Sequence, residues 1–217
     1  MNAIIDSLKG QNFTQLLVTH VQLSAFALII GVAIALPVAL AVRNTRVAAI
    51  AAVNIGNIGR AVPSLAILAL AQPFLGFGFT PALVALAALA IPPILINTLT
   101  GLREVDRQIM DAARGMGLSE VQILTRVQLP IAAPVIFAGI RTSAVQVVAS
   151  ATLATFIGGG GLGDLIVGGF QGNNQAMLLA GALSVATLAI ATELTFAGLE
   201  RAFTPKGLKV ARKRRGK

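Results

Sequence analysis

Residues able to carry chemistry are few in this chain, and their types exclude most kinds of catalysis. The sequence of 217 residues contains no cysteine and a single histidine, His20. A metal cluster needs several Cys, His or carboxylate ligands, and a catalytic triad needs a nucleophile beside a base, so neither can be built around these residues. We therefore predict no catalytic residue and no metal site. His20 is predicted to be a buried, hydrogen-bonded structural residue.

A glycine-rich stretch, "FIGGGGLGD", has the spacing of a nucleotide-binding motif. Gly158, Gly160 and Gly163 satisfy the pattern G-x-G-x-x-G. A dinucleotide fold also needs an acidic residue about 20 positions later, and the sequence has none there. It also lacks G-x-x-x-x-G-K-[ST], so we predict that the chain holds no ATP or other cofactor itself. The stretch is interpreted as a flexible or tightly turning loop outside the membrane.

The elements that position these residues are predicted to be membrane helices. Hydrophobic residues make up 56% of the chain, charged residues only 12%, and the mean hydropathy is +0.84. About 20 apolar residues are needed to cross a bilayer as a helix. We predict an all-α membrane protein in one domain, 1–217, with about five transmembrane helices, at residues 16–42, 47–72, 81–99, 131–157 and 176–199.

Basic residues predict the orientation of these spans. Fourteen Lys and Arg lie on one side of the membrane, in the connections after spans one and three and in the tail at 201–217 that follows span five. The opposite side carries only Lys9. The positive-inside rule then places the amino terminus outside and the carboxyl terminus in the cytoplasm. The basic tail is interpreted as an orientation signal and a contact for anionic lipid, not for nucleic acid.

The cytoplasmic loop at 101–130 is predicted to fold as a helix-turn-helix. Its first helix would carry an apolar face at i, i+3, i+4 and i+7, formed by Ile109, Ala112, Ala113 and Met116. Gly115 and Gly117 can end this helix. Ser119 and Gln122 form a capping box that would start the second helix. A folded loop with an exposed apolar face favours contact with a partner protein over packing on its own bundle.

Polar residues inside the spans are candidates for a solute path. Two series have i, i+3 and i+7 spacing, namely Ser143, Gln146 and Ser150 in span four, and Asn57, Arg60 and Ser64 in span two. Small polar residues also hold membrane helices together, so packing remains an alternative. An arginine inside a span must face the bundle interior, water or a partner. Glu193 in span five is a candidate counter-ion.

The loop resembles the cytoplasmic loop of bacterial ABC-importer permeases. That family's pattern is E-A-A, three residues, G, nine residues, I, one residue, L-P. Both spacings are present here, with Asp in place of Glu and Val in place of Ile, at Asp111, Ala112, Ala113, Gly117, Val127, Leu129 and Pro130. "NIGRAVPSLAILAL", "GLREVD" and "ATFIGGGGLGDLI" are similar to permeases for glycine betaine, choline and related osmoprotectants.

The resemblance implies a multi-pass permease subunit of the bacterial inner membrane. It implies a second permease subunit, two ATPase subunits that bind ATP, and an extracytoplasmic solute-binding protein. It also implies that the loop couples the permease to the ATPase, with Ala112 and Ala113 allowing close approach of a partner helix and Arg114 meeting acidic groups on it. Alternatives are a methionine-type or other small-solute ABC permease, a scaffold for an ATPase, or an ion-coupled secondary transporter.

Overall fold

The computed structural model describes residues 12–203, and this part of the chain is helical. The basic residues predicted to lie in the tail after position 203 and Lys9 are outside the described residues. The helices are α1 (Phe13–Val42), α2 (Arg46–Ala61), α3 (Ser64–Leu75), α4 (Phe79–Arg103), α5 (Arg107–Gly115), α6 (Glu120–Ile123), α7 (Leu129–Ser150), α8 (Gly163–Gln171) and α9 (Gln175–Phe203). A π-helical segment (Leu124–Gln128) precedes α7, and a 3₁₀ segment (Ala151–Ile157) follows it.

Four helical stretches of the described residues are long and apolar enough to cross a membrane. They are α1, α4, the continuous stretch Glu120–Ile157 and most of α9. The helices α2 and α3 form a fifth span when they are counted together, although they meet at an angle of 93°. The predicted number of spans is therefore confirmed, and the second span is broken instead of straight.

The break between α2 and α3 lies at Pro63. Proline disfavours the helical conformation in the residue before it. Val62 is accordingly extended, with ψ 126°, and Pro63 itself has ψ 134°. Two successive residues outside the helical region are enough to turn the chain, so α2 and α3 follow different directions.

Helix α4 is the centre of the bundle. It packs against α1, α2, α3 and α7, and 61% of the residues in its most apolar 18-residue stretch are buried. Small residues permit these close contacts: a Cβ on Gly31 of α1 would lie 3.4 Å from the backbone of Ala90, and one on Gly139 of α7 would lie 2.9 Å from the carbonyl oxygen of Pro93. Close backbone approach is typical of membrane helix interfaces.

His20 connects three parts of the fold. Its side chain is fully buried, its Nε2 donates to the carbonyl oxygen of Val148 at 3.0 Å, and its Nδ1 accepts from the backbone N–H of Leu162 at 3.2 Å. Both ring nitrogens are therefore used by the neutral imidazole. The predicted structural role of His20 is confirmed.

The glycine-rich stretch turns tightly, as predicted, but it is not simply a loop. Gly158, Gly160 and Gly161 have positive φ, which suits glycine. Helix α8 then begins at Gly163 and packs on α9. The Thr155 hydroxyl donates to the carboxylate of Asp164, which ties the first turn of α8 to the 3₁₀ segment. The stretch FIGGGGLGD is therefore a tight turn whose last two residues, Gly163 and Asp164, already belong to α8.

Candidate coupling surface and polar path residues

The first loop helix, α5, begins and ends with defined caps. The carboxylate of Asp106 accepts from the backbone N–H of Gln108 at 2.8 Å, which satisfies one free donor at the helix start. At the other end, Gly117 has φ +81°, and the N–H of Leu118 donates to the carbonyl oxygen of Ala113 at 3.2 Å. A Cβ at Gly117 would meet nothing within 4 Å, so the backbone conformation, not space, requires glycine here.

The second loop helix, α6, starts with the predicted capping box. The N–H of Gln122 donates to the Ser119 hydroxyl at 3.3 Å, and the N–H of Ser119 donates to the Gln122 side-chain oxygen at 2.9 Å. Both polar groups are therefore satisfied within the loop itself. The helix-turn-helix predicted from spacing is present.

Arg114 joins the two loop helices. Its guanidinium donates to Asp111 at 3.0 Å and to Glu120 at 2.9 Å. The bond to Glu120 raises the pKa of Arg114, and the bond from Arg114 lowers the pKa of Glu120. A lowered carboxyl pKa means that this bridge supports the folded loop at neutral pH and is lost as pH falls through that pKa. Arg114 thus contacts acidic groups of its own loop.

An apolar surface on the loop remains uncovered in this chain. It consists of Ile109, Ala112 and Met116, of which Ile109 is 45% and Met116 73% exposed, and we call it the coupling face. Ala113 was predicted to share this face, but it is only 1% exposed. Its small side chain packs inside the loop, because α5 lies against α6 and the π-helical segment. The prediction that Ala113 allows a partner helix to approach is therefore wrong: Ala113 allows close packing within its own loop.

The end of the sequence motif joins the loop to the bundle. Val127, Leu129 and Pro130 are half-buried where the π-helical segment passes into α7. Proline cannot donate a backbone hydrogen bond and crowds the preceding turn, and the wider π-turn accommodates it. Sequence reasoning missed Gln128, whose Nε2 donates to the carbonyl oxygen of Leu102 at 2.9 Å. This bond ties the loop to the last turn of α4.

In the polar series of span four, the two serines are buried in the bundle and the glutamine is partly open to its surroundings. Ser143 is fully buried, and its hydroxyl donates to the carbonyl oxygen of Ala90 at 2.9 Å. Ser150 is 9% exposed, whereas Gln146 is half-buried. Within one chain, Ser143 therefore joins α7 to α4, and Gln146 is the member of this series most open to its surroundings.

The polar series of span two lies at the broken span. Asn57 and Arg60 are exposed on the last turns of α2, and Ser64 is half-buried at the start of α3. Arg60 forms no ion pair with any residue in 12–203 within 4.0 Å. These side chains are thus grouped at the 93° break, on a surface open to a partner or to water.

Glu193 is a counter-ion, but its partner is Arg141. The guanidinium of Arg141 on α7 contacts Glu193 at 2.7 Å and Glu200 at 2.9 Å, both on α9. Sequence reasoning missed Arg141 because nothing local in the sequence indicates that α7 and α9 are adjacent. A basic residue inside span four, with two carboxylates seven residues apart at the end of span five and just after it, is the signal that could have found the pair.

The arrangement of helices and loop defines a class of protein, a membrane permease with a folded coupling loop. Residues 27–205 match the family described as "Binding-protein-dependent transport system inner membrane component". The chain belongs to this family, and it is the permease subunit of an ABC importer. The predicted class of protein is confirmed.

Relatives with named solutes are similar to this chain over most of its length. A carnitine transport permease protein from Listeria monocytogenes is 40% identical over 98% of both chains. A choline transport system permease protein from Bacillus subtilis is 42% identical over 87% of both chains. An osmoprotectant import permease protein from Salmonella typhimurium is 33% identical, covering 88% of this chain and 91% of the relative.

Solved structures share the fold. A chain of an inward-facing methionine ABC transporter superposes with a TM-score of 0.75 and 22% identity, covering 90% of this chain and 99% of that chain. A chain of an amino acid ABC transporter gives a TM-score of 0.72 with 20% identity, covering 93% and 97%. This chain therefore has the same fold as these two transporter chains.

Proposed function

We propose that this permease imports a small quaternary ammonium osmoprotectant such as glycine betaine, choline or carnitine. The observation that carries the proposal is the 40 to 42% identity, over most of the chain, to permeases named for carnitine and choline. ATP is bound by separate ATPase subunits, and the solute is delivered by an extracytoplasmic binding protein. The chain itself holds no cofactor.

The coupling face is the contact for the ATPase in this proposal. A loop that transmits movement must keep its shape, and α5 and α6 are held together by the Arg114 bridges and the capping box. Gln128 and Leu102 connect this unit to α7 and α4. ATP-driven movement of the partner would then reach the membrane helices through a rigid element.

The solute path runs between two copies of the permease, or between this chain and a similar one. Exposed Asn57 and Arg60 at the break of span two support this placement, because polar and charged groups that face lipid are costly, about 2.5 to 3.5 kcal/mol for arginine. Gln146 and Ser64, both half-buried, extend the set of polar groups. Ser143, Ser150 and Glu193 support the bundle around the path.

The solute proposal predicts where specificity lies. Quaternary ammonium groups bind best to Trp and Tyr faces, and this sequence contains neither residue. By isothermal calorimetry, we expect the binding protein to bind one of the three solutes in the micromolar range and the permease with its ATPase no tighter than about millimolar, near −4 kcal/mol. Binding of another solute class instead, with none of these three, would contradict the proposal.

The proposed orientation of the chain in the membrane gives a second prediction. A reporter fused after Lys217 is expected to be cytoplasmic, and one inserted at Asn173, in the exposed turn between α8 and α9, is expected to be external. Asn173 suits an insertion better than Gly161, which lies in the turn before α8 and is buried against His20. Alkaline phosphatase and fluorescent protein fusions measure the two sides. An external Lys217 reporter would place the coupling face on the wrong side for an ATPase.

A further inference from the structure

Three exposed phenylalanines lie at one end of the bundle, on two segments that are bonded to each other. Phe74 is in the last turn of α3 and Phe77 in the turn before α4, whereas Phe156 is in the 3₁₀ segment after α7. The N–H of Gly78 donates to the carbonyl oxygen of Ile157 at 2.7 Å and joins the two segments. The three side chains are 86%, 70% and 53% exposed, respectively, and we call them the outer aromatic face.

The turn that carries Phe77 has a fixed backbone. Gly76 and Gly78, on either side of it, have φ +77° and +118°, conformations that suit glycine. The N–H of Gly76 donates to the carbonyl oxygen of Gln72 at 2.8 Å, so each end of the turn is held by a backbone bond. Exposed backbone outside a helix does not face lipid hydrocarbon. The turn connects spans two and three, and the proposed orientation therefore places it at the outer surface, in contact with water or a partner.

The outer aromatic face is large enough to anchor a protein partner. A phenylalanine buries roughly 150 to 250 Å², so the exposed parts of the three side chains amount to roughly 300 to 500 Å². One partner contributes about 800 Å² to an interface of standard size, and these three residues would supply about half of it. Aromatic residues are enriched at interfaces, and holding them in position before binding lowers the entropic cost of docking.

Charge is nearly absent around this face. The outer connections of the described residues, 72–80 and 151–175, contain one charged residue, Asp164. Its carboxylate is half-buried and accepts a hydrogen bond from Thr155. A partner on this side therefore has little charge to pair with and must bind through apolar contact. Such contact persists in salt, whereas the Debye length falls to about 3 Å at 1 M ionic strength and charged contacts are screened.

We propose that the extracytoplasmic solute-binding protein docks on the outer aromatic face, through apolar contact whose strength does not fall as salt rises. This docking rests on the proposed function, which supplies the partner and the orientation. It suits an importer of osmoprotectants, which are needed when external salt is high and charged docking is screened. Lipid headgroups fit less well, because the aromatic residues typical of the membrane surface are Trp and Tyr, whose polar tips Phe lacks.

The test measures the dissociation constant of the solute-loaded binding protein on the permease assembled with its ATPase in nanodiscs. Biolayer interferometry at about 0.1 and 1 M potassium chloride should give wild-type constants that differ by less than about threefold. Phe74→Ala and Phe77→Ala should each weaken docking at least about tenfold, because each removes an aromatic anchor. Phe26→Ala is the matched control, because Phe26 is 47% exposed on α1 within a membrane span, and this variant should dock like the wild type.

Both test variants remove side chains that are mostly exposed, so they should fold, and co-purification with the ATPase checks this. Because the chain has no cysteine, Phe77→Cys reports on neighbours directly, and a disulfide-linked pair of permeases would show that a second copy covers the face. That result, a larger loss of wild-type docking at the higher salt, or a smaller loss in either alanine variant would each overturn the docking site and leave the proposed solute standing. A binding protein that takes none of the three solutes contradicts the proposed solute instead.

Discussion

Replacing Ala112 by arginine is expected to reduce ATP-driven uptake by at least thirtyfold while the permease still folds and inserts. Ala112 is exposed at the centre of the coupling face, between Ile109 and Met116. An arginine there would be buried without a partner in the contact with the ATPase, at a cost of about 2 to 5 kcal/mol. Since 1.4 kcal/mol is a factor of ten, this corresponds to about 30-fold to 4,000-fold weaker binding.

The measurement combines uptake into vesicles with co-purification of the ATPase. Glu104→Arg is the matched control, because Glu104 is exposed in the same loop, directly after α4, but lies outside the coupling face. It should keep both uptake and co-purification near wild-type levels. Ala113→Arg would be a poor test, because Ala113 is buried and its replacement would disturb the loop itself. ATPase recovery by Ala112→Arg at wild-type levels would show that the coupling face is not the contact.

Replacing Gly163 by alanine is expected to be the most destabilising glycine-to-alanine change in the connection between α7 and α9. The added Cβ would lie 2.8 Å from the backbone carbonyl carbon of Thr152 and closer still to its oxygen. These are backbone atoms, so the 3₁₀ segment and α8 would have to move apart. Overpacking costs about 1 to 3 kcal/mol when side chains can adjust, and we expect at least the upper value here.

Gly198→Ala supplies the control for this prediction. Gly198 is in α9, and a Cβ there would meet nothing within 4 Å. Alanine is the better helix former by about 1 kcal/mol, so this variant should be neutral or slightly stabilised. Thermal unfolding in detergent compares the two. Equal melting temperatures for the two variants would mean that α8 does not pack on the 3₁₀ segment as described.

The loop was predictable because its determinants are close together in the sequence. The capping box at Ser119 and Gln122, the glycine at position 117 and the apolar spacing of Ile109, Ala112 and Met116 each depend on residues within a few positions of one another. The structure contains all three features. What spacing could not show is that Ala113 is turned inward and that Arg114 is engaged by Asp111 and Glu120.

Helix α8 shows how tertiary contacts override local preference. Its sequence, GDLIVGGFQ, contains three glycines, which are poor helix formers. The same glycines allow close packing, since a Cβ at Gly169 would lie 2.8 Å from the Cα of Leu178 on α9. Local preference alone therefore did not predict this helix, which depends on its contact with α9.

The sequence by itself determined the class of protein, the number of spans and the local form of the coupling loop, because hydropathy, helix period and capping act within one segment. Only the tertiary structure decided that α2 and α3 meet at 93°, that His20 joins α1 to Val148 and Leu162, and that Glu193 pairs with Arg141. These features join residues far apart in the chain. They depend on which helices become neighbours, and packing of the whole bundle sets that choice.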